Sequence, residues 1–246
     1  LTFDDCKKIN SSIIYAHIGG FKSNVERVAF DVVLQAETGF MSMNGEPNNN
    51  PVKMPVALID ILAAHQLKEG ILIALINKKN NNKAIKVTTT LEETAIASLA
   101  NQASNFLMLN HVAKPLGTKH PNIAPYGDFI DTKDEDRLVI AIGTDIQFLK
   151  FCKILKINEE KLENFNSNQK RVNNRVELMK VINQKSKKLN TEDLMNACID
   201  SKIPIGKIKK IDEVLNSSLS KEMILSEKID GIETKRIKSI AFQLSC

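Results

Sequence analysis

The segment from Pro51 to Asn77 constrains this chain most. Ile61 to Asn77 is rich in Leu, Ile and Ala around nearly the whole turn of a helix. A helix apolar on most faces must be buried, so its neighbours must cover it on more than one side. The run that leads into it, Val52 to Ile59, is also apolar, but Pro51 and Pro55 argue against an interior strand. Asp60 stands between the two runs, where a carboxylate is expected to take the N-cap position.

The flanking sequence supplies the cover. Leu1 to Ile9 predicts a short helix with Asp4 and Asp5 in its first turn. Ser12 to Ile18 is a short β-branched run that ends at Gly19 and Gly20 and reads as a buried strand. Phe21 to Val28 is polar and reads as a loop, Phe30 to Glu37 as a helix stopped by Gly39, and Asn44 to Pro51 as a succession of turns. Lys78 to Lys83 is a polar turn, and Ala84 to Thr88 a second strand. Thr89 or Thr90 caps a long helix that reaches about Leu109. Strand and helix alternate through this half, which predicts an α/β fold with a parallel sheet.

The character changes after Val112. Lys114 to Tyr126 is proline-rich and extended, and a domain boundary is expected there, dividing 1–112 from 113–246. Asp128 to Ile142 reads as a hairpin around a charged turn. Helices follow, capped by Thr144 or Asp145, spanning Arg175 to Lys188, and capped by Thr191. Ile203 to Ile208 predicts a strand, Asp212 to Leu219 a short helix, and Met223 to Ile240 a hairpin turning at Asp230 and Gly231. The second part is therefore α+β.

Composition excludes several classes. The net charge is +5, but the lysines are scattered over the chain, Trp is absent and only two Tyr occur. A nucleic-acid surface needs clustered cations with stacking aromatics, so nucleic acid is not expected as a partner. No apolar run is long enough to span a bilayer, so no membrane partner is expected. Cys6, Cys152, Cys198 and Cys246 lack CxxC spacing, and His17, His65, His111 and His120 lack partners at metal spacing. No metal site is expected. Few, scattered cysteines point to a reducing compartment. The chain begins at Leu1 without Met and reads as cut from something longer.

The strongest chemical candidate is Asp60. On pattern alone it is a helix cap. Its second reading is a nucleophilic or acid–base carboxylate, partly desolvated by the apolar run before it and close to backbone N–H groups able to stabilise an oxyanion. His65 reads as packing or surface, and His120 as a residue able to line a cleft. No GxSxG or phosphate-binding loop is present.

Several stretches fit one pattern in order. They are Ile13 to Phe21, Phe30 and Asp31 with Gln35, Ala36 and Gly39, Met41 to Pro47, and Pro51 to Asp60. Gly117 with His120 to Tyr126 follows, then Gly143 to Phe148, Arg171 to Leu178, and Ile203 to Gly206. Together they resemble the family III CoA-transferases (the CaiB/BaiF-like group), which include formyl-CoA transferase and the carnitine CoA-transferases. The resemblance covers nearly the whole chain. It implies an incomplete Rossmann-like large domain followed by a smaller α+β domain, with Asp60 at the position of the catalytic aspartate. It also implies that Val28, Ala29, Phe30 and Asp31 form a turn that contacts coenzyme A, and that His120 and Asn122 lie in a loop facing the substrate. No cofactor is implied, because acyl-CoA thioesters and carboxylic acids are the substrates. An interlocked homodimer and a cytoplasmic location are implied, with mitochondria as the alternative compartment.

The glycine-rich loop of formyl-CoA transferase is absent, so the pattern is closer to members acting on larger dicarboxylic or hydroxy acids. The family's racemases pair the aspartate with a histidine about thirty positions upstream. Here that position is Phe30, which cannot act as a base. This favours transfer over racemisation, with a non-catalytic CoA-binding relative as the remaining alternative. Ala29 and Ala64 stand where the family usually has glycine, and segments of the family fold are expected before Leu1 and after Cys246.

Overall fold

The computed structural model describes residues 1–79 and 82–245, so Cys246 and the middle of the turn expected at Lys78 to Lys83 lie outside the described residues. The chain divides into two compact units, Leu1–Thr118 and Lys119–Cys246.

The first unit opens with α1 (Phe3–Ile9), where Thr2 and Asp5 form a reciprocal capping box. Strand β1 (Ile14–Gly19) follows. The loop after it is braced from two sides. Glu92 accepts the N–H groups of Lys22 and Ser23, and the Arg27 guanidinium lies over the Phe21 ring while it pairs with Glu37. Helices α2 (Asp31–Glu37) and α3 (Phe40–Met43) are separated by Gly39, whose φ of 90° few other residues adopt. Helix α4 (Leu58–Lys78) crosses to β2 (Ile85–Thr90), which pairs with β1 in parallel from Ile14↔Ile85 to Gly19↔Thr90. This is the βαβ unit expected from the alternation. Gly70 lets α4 approach β2 closely, since a Cβ there would lie 2.5 Å from Val87 Cγ1.

Three expectations need correction in this unit. Helix α4 is not buried on most faces. Only Ile59, Ala63 and Ala74 are inaccessible, while Ile61, Leu72, Ile73, Leu75 and Ile76 are exposed. The sheet has two strands and covers one side of the helix, so the remaining apolar surface faces outward. For the same reason β1 is not a buried strand, and Ile18 on it is exposed. The long helix expected to reach Leu109 is two helices, α5 (Leu91–Ala97), capped by Thr90, and α6 (Ala100–Leu109). The Ser98 hydroxyl donates to the Thr94 carbonyl at 2.8 Å, and Ala100 adopts φ 48°, which no continuous helix allows. Phe21, Leu34, Ile59 and Ala95 form the core of this unit and join α2, α4 and α5.

The second unit contains β3 (Tyr126–Asp131) and β4 (Arg137–Ala141) as the expected antiparallel hairpin. Helix α7 (Asp145–Ile154) carries a capping box between Thr144 and Gln147. A 3₁₀ helix (Glu159–Phe165) and α8 (Asn168–Asn173) come next. Helices α9 (Arg175–Ser186) and α10 (Thr191–Asp200) follow, the latter with Asn190 rather than Thr191 at the cap. The short strand β5 (Ile205–Lys207) adds antiparallel to β4. Helices α11 (Ile211–Leu215) and α12 (Ser218–Glu222) replace the single short helix expected there, and β6 (Ile224–Ile229) and β7 (Ile232–Ile237) form the terminal hairpin. One apolar core holds the three-stranded sheet against α7, α9 and α10, with Phe148, Phe151, Leu178, Ile182 and Leu194 at its centre. Cys152 and Cys198 are buried in it. Burial pushes their thiols up to about 12 and about 11, so at neutral pH both are inert packing groups.

Candidate active site

Asp60 is not the N-cap of its helix. Ala57 holds that position and makes no side-chain cap, and Asp60 is the third helical residue. The cap comes from another helix. Asp31 opens α2, is only 9% exposed, and its Oδ2 accepts the N–H of Ile59 at 2.7 Å. Its Oδ1 accepts from the Gln35 amide at 2.5 Å, and the Gln35 carbonyl oxygen accepts the N–H of Met54 at 2.8 Å. One turn of α2 therefore satisfies two backbone donors at the entry to α4 and fixes where that helix begins.

With the capping role filled, the Asp60 side chain is exposed and carries no hydrogen bond or ion pair with any described residue. Burial of part of its surface, and then the neighbouring Asp31 carboxylate, push its pKa above the usual 3.8. The two aspartates thus have different environments. One is buried and fully hydrogen-bonded, and the other is open, unpaired and in the first turn of a helix. A carboxylate of the second kind can attack an electrophilic carbonyl without first breaking an ion pair.

The other residues read from the sequence fall as follows. Val28 and Phe30 are exposed, at 73% and 67%. Ala29 packs against the core of the first unit, and its methyl fills the space left by Gly20, where a Cβ would lie 2.4 Å away. Of the two glycines at the end of β1, Gly20 thus has a packing role. Asp31 shares this turn, but its carboxylate points to Ile59. His65 is exposed and its Nδ1 lies 3.0 Å from the Lys68 ammonium, so it takes no part in the Asp60 environment.

His120 and Asn122 belong to the second unit, on a closed loop. His120 N–H donates to the Tyr126 carbonyl at 2.9 Å, the two rings meet edge to face, and His120 Nδ1 accepts the Asn122 N–H at 3.1 Å. Two arginines hold this loop from behind, a role that reasoning from sequence missed. Arg175 donates to the His120 and Tyr126 carbonyls and forks onto Asp128. Arg171 is 1% exposed. Its Nε reaches the Ala124 carbonyl, Nη1 the Phe165 carbonyl and Nη2 Asp145, and its Cζ lies 4.5 Å from the Phe148 ring centroid. Their four-residue spacing beside Asn173 and Asn174 was the available signal, but nothing in it indicated burial.

Among the described residues no group of three or more His, Cys, Asp or Glu could hold a metal ion, and no helix is long and apolar enough to cross a membrane.

The model of CoA-transferase family III matches residues 1–245. The chain belongs to that family. It is similar to the succinate–glutarate CoA-transferase of Agrobacterium fabrum, with 33% identity over 218 residues that make up 87% of this chain and 54% of the relative. It is also 31% identical over 234 residues to the human succinyl-CoA:glutarate CoA-transferase, covering 91% of this chain and 53% of that protein. A crystal structure of a CaiB/BaiF family protein from Brucella suis superposes with a TM-score of 0.81 and 32% identity, over 98% of this chain and 64% of that one. The mixed α/β architecture is therefore that of this group. The sheets seen here are small, and the two-stranded parallel pair is the only part of a Rossmann-like arrangement among the described residues. The chain spans about half the length of the curated relatives it matches.

Proposed function

We propose that the protein carrying this chain transfers coenzyme A from an acyl-CoA thioester to a free carboxylic acid, with Asp60 as the covalent nucleophile. The observation that carries this reading is the contrast between the two aspartates. Asp31 has taken over the capping role, which leaves Asp60 exposed and unpaired at the start of the same helix. In the first step the Asp60 carboxylate attacks the thioester carbonyl, the C–S bond breaks, and an acyl–aspartyl anhydride and CoA thiolate form. The thiolate attacks the aspartyl carbonyl and expels the donor acid as its carboxylate, leaving an aspartyl-CoA thioester. The acceptor carboxylate attacks this thioester and releases the thiolate again. The thiolate then attacks the acceptor's carbonyl, forms the new acyl-CoA and returns Asp60 as a carboxylate. Each step exchanges one carboxyl derivative for another, so the cycle requires no redox or metal cofactor.

In this reading Val28, Ala29, Phe30 and the backbone of Asp31 form the turn beside the coenzyme, and His120 and Asn122 meet the acid. The glutarate-directed relatives support a dicarboxylic acid as one substrate. The division into a large CoA-binding part and a small part, near residues 112 and 113, is kept with it. An interlocked homodimer is supported by the exposed apolar surface of α4 and α6. The cytoplasm, or the mitochondrial matrix, suits the free buried thiols of Cys152 and Cys198. A racemase is disfavoured because Phe30, exposed beside Asp31, offers no second base.

The test is mass spectrometry of the full-length protein incubated with succinyl-CoA. A CoA adduct is expected on the peptide that contains Asp60, and it should be absent after Asp60→Ala. An adduct that survives the substitution overturns the assignment.

A further inference from the structure

Residues 51–57 deliver the chain to α4 without forming helix or strand, and Val52, Met54 and Val56 on this run are exposed. Little burial holds it in place. Among the described residues, two side chains from outside the run bond to its backbone. The Asn44 amide donates to the Val52 carbonyl at 3.0 Å, and the inaccessible Gln35 accepts the Met54 N–H. Gln35 stands four residues after Asp31, so the two share a face of α2. Its amide is engaged at both ends. Nε2 donates to Asp31 Oδ1 and Oε1 accepts from Met54, while Asp31 Oδ2 accepts from Ile59. The orientation of the amide is forced, because an ionised carboxylate only accepts and a backbone N–H only donates. One neutral side chain thus orients the carboxylate that caps α4 and ties down the run before it.

We propose that Gln35 is a positioning residue for the transfer reaction, acting through Asp31 and Met54 to fix the entry to α4 and so the place from which Asp60 meets the thioester. The assignment rests on the reading of Asp60 as the nucleophile. A packing role alone would need only the volume of Gln35, which methionine supplies. Two bonds of opposite polarity need an amide. The alignment matters because a reacting group misplaced by about 1 Å can lose on the order of a hundredfold in rate. Gln35→Glu is nearly isosteric and reads the role by pH. Its carboxyl group would face Asp31 Oδ1 across the 2.5 Å that the amide now spans. Two carboxylates this close share one proton and hold it well above the usual carboxylate range. With the proton present, the new group donates to Asp31 and accepts from Met54 as the amide does. Once the proton leaves, the two carboxylates repel and the network opens. The ionisable groups around α2 are otherwise engaged. Glu37 pairs with Arg27, Glu92 and Glu93 of α5 hold Lys22 and Ser23, α3 carries none, and on α4 the group that feels Asp31 is Asp60 itself.

The test uses the full-length protein with saturating succinyl-CoA, and follows the CoA adduct on the Asp60 peptide by rapid quench and mass spectrometry. Gln35→Glu should form the adduct near the parent rate at about pH 6 and on the order of tenfold more slowly at about pH 8, with calorimetric affinity for free CoA within about twofold of the parent. Gln35→Met should be slow at both pH values, with its thermal midpoint as the check on folding. If that variant unfolds, the comparison of Gln35→Glu with itself at the two pH values still carries the test. Amide exchange reads the geometry without the chemistry. Relative to the parent, Met54 or Ile59 should exchange faster in Gln35→Glu at about pH 8 and not at about pH 6. The assignment is overturned if the rate of Gln35→Glu relative to the parent is the same at both pH values, or if a folded Gln35→Met reacts at the parent rate. It is also overturned if CoA affinity falls as much as the rate, since Gln35 would then shape coenzyme binding instead. A parent protein that forms no adduct overturns the reading of Asp60 itself, so the two failures are distinct.

Discussion

Asp31 Oδ2 and the backbone N–H of Ile59, twenty-eight positions apart, are joined by a 2.7 Å hydrogen bond, so the helix that carries the candidate nucleophile is capped by a carboxylate from another helix. A local cap would have required the first-turn carboxylate to face its own backbone. The borrowed cap releases Asp60 from that role and places a second negative charge close enough to act on it.

The stability consequence is direct. Asp31→Ala removes the acceptors of both Ile59 N–H and the Gln35 amide in a buried setting, and each orphaned donor costs about 1–3 kcal/mol. Asp31→Asn keeps one carbonyl oxygen and should lose about half as much. Urea denaturation followed by far-UV circular dichroism should show a lower midpoint for Asn and a much lower one for Ala. Equal midpoints for parent and Ala would mean that the cap contributes nothing.

The pH dependence follows from the raised pKa of Asp60, caused first by burial and second by Asp31. In the proposed reaction Asp60 must be ionised, so the acid limb of kcat/KM should lie above the usual carboxylate value of 3.8. Asp31→Asn removes the second cause and should move that limb to lower pH. The linkage has a definite sign. A carboxyl group that binds its proton more tightly in the folded state contributes stability below its unfolded pKa and loses it as pH rises through the folded value. Asp60→Asn, fixed in the neutral form, should therefore gain on the parent as pH rises from about 3.8. Urea midpoints measured across that interval check the direction.

Gly70 sets the spacing between α4 and β2. In Gly70→Ala the added methyl would meet Val87 Cγ1 at 2.5 Å, and overpacking of this kind costs about 1–3 kcal/mol. Helix propensity returns up to about 1 kcal/mol, because glycine is a poor helix former. The net effect should be destabilising. Val87→Ala in the same chain should recover part of the loss, giving a non-additive double-mutant cycle. A Gly70→Ala variant more stable than the parent would show that the helix and strand can separate at no cost.

Much of this arrangement was legible in the sequence where the signals were local. The βαβ unit followed from β-branched runs on either side of an apolar helix. The cap expected at Thr144 or Asp145 announced α7, and Asp230 with Gly231 placed the last hairpin. What could not be read depended on distance or on exposure. The bond from Asp31 to Ile59 has no spacing rule. The break at Ala100 came from a serine back-bond within a segment whose periodicity was otherwise continuous. The apolar faces of α4 promised burial, and the two-stranded sheet covers only one of them. At the candidate site the family setting singled out Asp60 for its proposed role, but the buried arginines behind the His120 loop could not be read, because arginine is usually found at the surface.

Arg171 gives the last expectation. Its guanidinium satisfies the Ala124 and Phe165 carbonyls inside the second unit and contacts Asp145, whose side chain is largely exposed. Arg171→Met should leave two buried carbonyls without donors, at about 1–3 kcal/mol each, while Asp145 recovers water. Arg171→Lys retains the charge, but a single ammonium cannot reach three acceptors in the plane of the fork, nor stack on Phe148 as the guanidinium does. Lysine should therefore rescue little of the loss. Hydrogen exchange separates this role from a catalytic one. In Arg171→Met the amides of His120 and Ala124, bonded to Tyr126 and Asn168, should exchange faster, while those of α4 in the first unit should be unaffected. Unchanged exchange at His120 and Ala124 would mean that Arg175 alone holds the loop.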